Sequence, residues 1–217
     1  MIKYLAELIY PTKCVLCQKP LSQGQLDLCP HCRANAPEYV KSKIRHSFIA
    51  QWTCLWYYKD VARRSILRYK FYYWRSYHLS YGRLLAMKLH QEGMDNFDIL
   101  TWVPVSTMRR IRRGFDQSEL LAQAVGRELQ VSAVRTLKKI RHTKPLSLTQ
   151  GAAARRASVI GAYQVLPESS LKGKRVLLLD DIITSGATAS ECAKMLLAAG
   201  AKEVIFAAIA TAEFSKK

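Results

Sequence analysis

Val176-Leu-Leu-Leu179-Asp180-Asp181-Ile-Ile-Thr184-Ser185-Gly186-Ala187-Thr188 joins an apolar run, two adjacent acids and a hydroxyl-rich turn. An unbroken apolar run from Arg175 to Leu179, following a Lys-Gly-Lys turn, reads as a buried strand of a parallel sheet. It delivers two carboxylates to its C-terminal end, where open α/β sheets bind ligands. The turn then leads into a helix. Unpaired backbone N–H groups and hydroxyls at such a point suit a phosphate, and Gly186 lets the backbone close around it. The acids repel that phosphate. They suit vicinal hydroxyls, directly or through Mg²⁺. A ribose 5-phosphate carries both groups a few ångströms apart. The bland alternative is a tight strand-to-helix turn with a solvated acid pair, but neighbouring carboxylates repel each other and need a reason to coexist.

The flanking sequence extends this pattern. Thr188 and Glu191 are spaced as a capping box before Cys192, Met195, Leu196 and Ala199, predicting a helix closed by Gly200. Glu203 to Ala210 predicts a final buried strand. Upstream, Tyr77, Tyr81, Leu84, Leu85 and Leu89 recur at helical spacing over about 76–91. Phe97 to Val103 is a strand candidate ending at Pro104. Asp116 and Glu119 precede an apolar stripe that predicts a helix over 117–129. The expected architecture is α/β, a parallel central sheet flanked by helices, with a small N-terminal module. The expected boundaries are a four-cysteine module at 1–40, a linker and hood-like segment at 41–75, and the main domain at 76–217.

The Val176–Thr188 segment resembles the signature of type I phosphoribosyltransferases, which bind phosphoribosyl pyrophosphate with Mg²⁺. The resemblance implies that fold. It also implies that Asp180 and Asp181 hold the ribose hydroxyls, and that Thr184, Ser185, Gly186, Ala187 and Thr188 hold the 5-phosphate. The reaction implied is displacement of pyrophosphate from the anomeric carbon through an oxocarbenium-like state. Where oxopurine-salvage members carry an acid facing the base, this chain has Thr184, which argues against hypoxanthine or guanine as acceptor. A pyrophosphate needs a second cradle after an earlier strand. Val103-Pro-Val105-Ser106-Thr-Met-Arg109-Arg-Ile-Arg-Arg113 begins at such a strand end. Backbone N–H groups of Val105, Ser106 and Thr107, with Arg109 and Arg113, are the candidates for it. The competing reading of the arginine run is a solvated face or a nucleic-acid contact. No residue stands out as an acceptor-side base.

Cys14-Val-Leu-Cys17 and Cys29-Pro-His-Cys32 are two CxxC pairs separated by 11 residues. Each CxxC turn points two thiolates at one centre, and two turns make a tetrahedral cage for a structural zinc of zinc-ribbon type. His31 in place of one sulfur, or two disulfides, are the alternatives. So short a segment does not bury a core alone, which favours a metal staple. Cys192 falls on the apolar stripe of its helix and reads as core.

Together the four-cysteine module, Val-Pro-Val…Arg-Arg-Gly-Phe-Asp-Gln-Ser-Glu-Leu-Leu-Ala over 103–122, and the 176–188 segment resemble the ComF family of competence-associated proteins. Ser65-Ile-Leu-Arg68-Tyr-Lys70 with Tyr81-Gly-Arg-Leu-Leu-Ala86, and the basic stretch from Arg141 to Gly161-Ala-Tyr163, are similar to its intervening segments. Arg68 stands where Lys is favoured, and Asp116 and Ser158 where Asn is usual. The resemblance implies a role in natural transformation and DNA uptake, acting on single-stranded DNA in the cytoplasm with a helicase-like partner. Whether phosphoribosyl transfer is catalysed does not follow from it.

Composition sets the limits. The 217 residues, 49% hydrophobic and 23% charged, exclude a disordered or collagen-like chain. The net charge of +18 favours polyanionic partners. Residues 101–156 hold 12 Lys/Arg against 3 acids, half of that excess. The longest clean apolar run, Val204 to Ala210, is far below the roughly 20 residues of a spanning helix. Glu7 interrupts the N-terminal apolar stretch, a poor signal peptide. The expectation is a soluble cytoplasmic protein with no membrane insertion. Tyr57, Tyr58, Tyr69, Phe71, Tyr72, Tyr73, Trp74, Tyr77 and Tyr81 interleave with Arg63, Arg64, Arg68, Lys70 and Arg75. That composition suits single-stranded nucleic acid, but core packing is the favoured reading.

Overall fold

The computed structural model describes residues 12–41, 44–71, 76–141, 143 and 152–212, without the side chains of Arg112 and Ala152. Residues 72–75 of the expected aromatic–basic run lie outside the described residues, as do residues 142 and 144–151 of the Arg141–Tyr163 stretch.

Four strands form the central sheet: β1 (Gln51–Tyr57), β2 (Ile99–Trp102), β5 (Arg175–Ile183) and β6 (Glu203–Thr211), in the order β1-β6-β5-β2. Every pairing is parallel. A separate antiparallel pair joins β3 (Leu137–Lys139) to β4 (Tyr163–Val165). The helices are α1 (Pro30–Asn35), α2 (Asp60–Phe71), α3 (Tyr77–Gln91), α4 (Thr107–Arg113), α5 (Gln117–Glu128), α6 (Ala152–Val159) and α7 (Ala187–Ala198). Alternation along β5 and β6 separates two cores. Leu177, Leu179, Ile205, Ala207 and Ile209 face a layer containing α2, α3, α5 and the cysteine module. Val176, Leu178, Val204, Phe206 and Ala208 face α7 and the β3–β4 pair. Strands buried on both faces account for the near-continuous apolar sequence.

Three features differ from the sequence reading. Gln51–Tyr57, expected in a hood-like segment, is the edge strand of the main sheet, paired to β6 from Gln51↔Ile205 to Tyr57↔Thr211. Its aromatic and β-branched residues are buried between layers. β5 does not stop at Leu179. It runs through both acids to Ile183, because β6 stays paired alongside as far as Thr211. α7 does not begin at a Thr188 cap. Its N-cap is Gly186 at φ 73°, and Glu191 instead accepts a 2.7 Å hydrogen bond from the Gly161 N–H.

The cysteine module packs against the main layer rather than standing apart. Cys14, Val15, Leu16, Leu28, Cys29 and Cys32 share a core with β5 and β6. Ser65 Oγ donates to the Val15 carbonyl, and Arg68 donates to that of Leu16. The 5% exposed Asp27 takes a two-pronged hydrogen bond from Arg83 on α3. Tyr69, Tyr77 and Tyr81 are at most 7% exposed. Tyr81 stacks edge-on to Trp56, Tyr69 and Tyr77. These rings are core, so they do not present faces to bases. Among the described residues no helix is long and apolar enough to cross a membrane.

α3 crosses α5 at Gly82. A Cβ there would lie 2.4 Å from Ala124 Cβ and 2.9 Å from the Ala124 carbonyl carbon. Gly82→Ala forces two helices apart and is expected to remove about 1–3 kcal/mol of stability. Urea unfolding measures this; an unchanged midpoint would show that the helices are not in that contact.

Candidate functional site

β2 leaves the sheet first. Its pairing with β5 ends at Trp102↔Leu179, and Val103 N–H makes the last bond to the Leu179 carbonyl. Beyond that point β5 keeps β6 on one side and has no strand on the other. Asp180 and Asp181 project into the opening. It widens into a cavity of about 730 Å³, within the usual range of about 300–1,000 Å³ for small-molecule sites.

The two carboxylates have different partners. Asp180 Oδ1 accepts from Ser118 Oγ at 2.9 Å and from the Asp181 N–H at 2.8 Å. Asp181 Oδ2 is 2.8 Å from Lys70 Nζ, with both side chains largely buried. Burial, then repulsion from Asp181, pushes the Asp180 carboxyl up to about 7 against the opposing help of the Asp181 N–H, Ser118 and Lys70. One acid is therefore driven toward its neutral form, while the other sits against a cation. A divalent cation or a diol at this edge would find both within reach.

The turn after β5 wraps the same cavity. Thr184, Gly186, Ala187 and Thr188 line it. Because Gly186 is the N-cap, no side chain caps the first turn of α7. Ser185 Oγ is buried without a partner, a hydroxyl left for a further hydrogen bond. Gly186 is doubly required. Its φ is 73°, and a Cβ would fall 2.1 Å from Nδ1 of the buried His46. Burial pushes the Tyr163 hydroxyl above its ordinary range.

Cations also line the cavity: Arg109, Arg113, Lys139 and Lys70. Arg109 donates to the Thr143 carbonyl at 3.3 Å. Arg113 donates to Gln117 Oε1 at 2.9 Å and lies 5.1 Å from the Phe71 ring centre. Lys139 donates to Thr143 Oγ1 at 2.9 Å and stacks over Tyr163 at 5.1 Å. Burial, then repulsion from Arg109, brings the Lys139 amine down to about 8. The second cradle differs from expectation at Val105. Its N–H is taken by Asp116 Oδ2 at 3.0 Å, while Asp116 Oδ1 caps α5 through the Ser118 and Glu119 N–H groups. The carboxylate that caps α5 also consumes this amide. Ser106 remains, buried, with Oγ unpartnered.

Sequence reasoning placed Asp180, Asp181, the 184–188 turn, Arg109 and Arg113 here, and the fold brings all of them to one cavity except Ser185, which lines a smaller hollow beside His46. It missed Lys70, Lys139, Ser118 and Tyr163. Lys70 carried a signal, a lysine closing the apolar helical pattern Ser65 to Tyr69. Lys139 carried none, since it reaches the cavity only through the β3–β4 pairing.

A second cluster lies in the N-terminal module. The four sulfurs of Cys14, Cys17, Cys29 and Cys32 all lie within 4.8 Å of one another. A tetrahedral metal with bonds of about 2.3 Å separates its sulfurs by roughly 3.8 Å, so the donor set fits a metal. The thiols are free. Burial pushes Cys29 up, but the Cys32 N–H and the neighbouring thiols outweigh it and bring Cys29 down to about 7. His31, the alternative ligand, is exposed and stands outside the cluster.

An acid pair on a central parallel strand, followed by an uncapped hydroxyl turn, is the arrangement of a phosphoribosyltransferase. The family model described as phosphoribosyl transferase domain matches residues 116–216. The chain carries that domain and is homologous to the competence protein F and DNA utilization proteins. It is 33% identical to competence protein F of Haemophilus influenzae over 107 residues, 47% of this chain and 45% of that one. It is 28% identical to DNA utilization protein YhgH of Escherichia coli K12 over 220 residues, 91% of this chain and 96% of that one. The solved glutamine phosphoribosylpyrophosphate amidotransferase from B. subtilis aligns with 65% of this chain and 30% of its own, at 24% identity and a TM-score of 0.44.

The raised Asp180 carboxyl makes the fold itself sensitive to pH. The folded chain holds this proton up to about pH 7, whereas an unfolded aspartate releases it near pH 3.9. The native state therefore binds more protons between those values, and stability falls as pH rises through that window. Asp180→Asn removes the penalty. It is expected to raise the melting temperature by a few degrees at pH 8 and by nothing below pH 4. Equal melting curves at both pH values would contradict the assignment.

Proposed function

We propose that the chain binds phosphoribosyl pyrophosphate with Mg²⁺, in the service of DNA utilisation in the cytoplasm, and that its chemistry is of the pentosyl-transfer class. One observation carries the reading. A carboxylate pair, an uncapped hydroxyl turn and a cationic wall line a single cavity of about 730 Å³. Asp180 and Asp181 would hold the ribose hydroxyls, directly or through Mg²⁺. The turn from Thr184 to Thr188, which leaves the first turn of α7 without a side-chain cap, would take the 5-phosphate. Arg109, Arg113 and Ser106 would meet the pyrophosphate, stabilising charge as it leaves. Val105 contributes a carbonyl-side wall rather than an amide. Mg²⁺ would supply charge neutralisation of the diphosphate.

Zinc is the metal the four-cysteine cluster fits best, as four thiolates in a closed tetrahedral set leave no position for chemistry. Its role is to staple the module.

A second reading concerns single-stranded DNA, with a helicase-like protein as its partner. α4 exposes Arg110 at the cavity rim beside Met108 and Ile111, which are 65% and 77% exposed. A cation flanked by apolar side chains suits a phosphate backbone with bases packed beside it. The name DNA utilization protein, borne by the Escherichia coli relative, accords with that surface.

Titration calorimetry with phosphoribosyl pyrophosphate and Mg²⁺ is expected to show binding that strengthens from pH 6 to pH 8 as Asp180 ionises, and that vanishes in the Asp180→Ala, Asp181→Ala double variant. No heat from the unaltered protein would remove this reading. Elemental analysis should find one zinc per chain, lost in a Cys14→Ser, Cys32→Ser variant. For DNA, the affinity for an oligothymidylate should fall steeply with salt and weaken in Arg110→Glu; a salt-independent affinity counts against that surface.

A further inference from the structure

Lys70 has no place in the proposed function as derived so far, yet it is the closest cation to the acid pair. It lies in the last turn of α2, its side chain is 16% exposed, and its ammonium lies 2.8 Å from Asp181 Oδ2. An ammonium has three donors; the one contact holds both groups while the cavity is without ligand. A sugar diol or its Mg²⁺ needs the Asp181 carboxylate for itself. If Asp181 turns to that ligand, Lys70 loses its counter-charge on a wall that already carries Arg109, Arg113 and Lys139. A largely buried cation left unpaired is strongly unfavourable. A ligand that brings its own second anion offsets the loss in the same step. A ligand without one does not.

The position of Lys70 is fixed from elsewhere. Along the same helix, Ser65 Oγ donates to the Val15 carbonyl and lies 2.6 Å from the Tyr81 hydroxyl. Arg68 donates to the Leu16 carbonyl. Val15 and Leu16 are the two residues between Cys14 and Cys17. Tyr69 donates to the Gln117 carbonyl at 2.7 Å. The first CxxC turn and the start of α5 thus clamp α2 one turn before it presents Lys70.

We propose that Lys70 is a specificity-determining residue of the cavity, paired with Asp181 until a ligand carrying both a diol and a further phosphoryl group exchanges the partners, and that the four-cysteine module positions it through α2. The inference rests on the phosphoribosyl pyrophosphate reading and adds a discrimination to it. The site would favour phosphoribosyl pyrophosphate over ribose 5-phosphate, which has the diol and the 5-phosphate but no pyrophosphate.

The test is calorimetry with these two ligands, each with Mg²⁺, on the full chain. Lys70→Gln is expected to weaken phosphoribosyl pyrophosphate at least tenfold. Ribose 5-phosphate should bind as well as before or more tightly, because Asp181 is released. Lys70→Arg should retain most of the discrimination. Arg68→Ala and Ser65→Ala, remote from the cavity, should lower the same ratio by a smaller factor; near-UV circular dichroism reports whether they keep the native fold. An unaltered ratio in Lys70→Gln, or equal weakening of both ligands, would overturn the role of Lys70 while leaving the site reading in place. A native ratio in both folded module variants would overturn the positioning role. If the unaltered protein binds neither ligand, the site reading fails and this inference fails with it.

Discussion

Two like charges, Asp180 and Asp181, have to coexist on adjacent residues of a strand in the protein interior, and much of the architecture answers to that requirement. A strand flanked on both sides would leave them no access to solvent or ligand. β5 tolerates them because β2 turns away after Trp102 while β6 continues to Thr211. One edge stays hydrogen-bonded and rigid, and the other opens. The repulsion is then relieved in three ways that draw on separate parts of the chain: a hydroxyl from α5, a backbone N–H within the pair, and an ammonium from α2. The departure of β2 is itself fixed by Asp116, which ties the Val105 amide to the first turn of α5. The carboxylate that costs the second cradle an amide is the one that places Ser118 against Asp180.

The same constraint gives the cysteine module a place in the molecule beyond capping it. A six-residue helix and two turns do not bury enough surface to hold themselves. Here they are pinned by Ser65, Arg68 and Arg83, all from helices that also border the cavity layer. A metal at four thiols would stiffen Val15 and Leu16, whose carbonyls anchor α2. Rigidity at the cluster and placement of a cation some residues along the helix are then parts of one mechanical arrangement.

What the sequence made legible follows from range. The 176–188 segment, the CxxC pairs and the α3 and α5 stripes are local patterns, each set by a few residues' chemistry and periodicity, and they were readable before any coordinates. The edge strand Gln51–Tyr57 was not, because its aromatics read equally as a hood and only its partner β6, some 150 residues later, decides the matter. Lys139 reaches the site through an antiparallel pair closed by Tyr163, again a long-range event. The cap of α7 misled for a different reason. Thr188 and Glu191 satisfy the capping pattern, but Gly186 turns the chain two residues earlier, and Glu191 satisfies Gly161 instead. Local rules fail there at the point where the turn must leave its amides open, as expected where a site takes precedence over helix stability.

Buried hydroxyls without partners also occur in the turns that follow β2 and β5. Ser106 and Ser185 keep buried hydroxyls without partners, and Asp180 holds a proton well above the ordinary carboxylate range. Each carries a cost in free energy. Buried polar groups are otherwise paired in folded proteins. Asp180 lines the main cavity, whereas Ser185 lines a smaller hollow beside His46. A ligand that donates to the carboxylates would relieve the cost at Asp180. The free energy released on binding would then come partly from ending strain that the fold already carries. Such a ligand stabilises the native chain by mass action, and it does so most where it meets both Asp180 and Asp181.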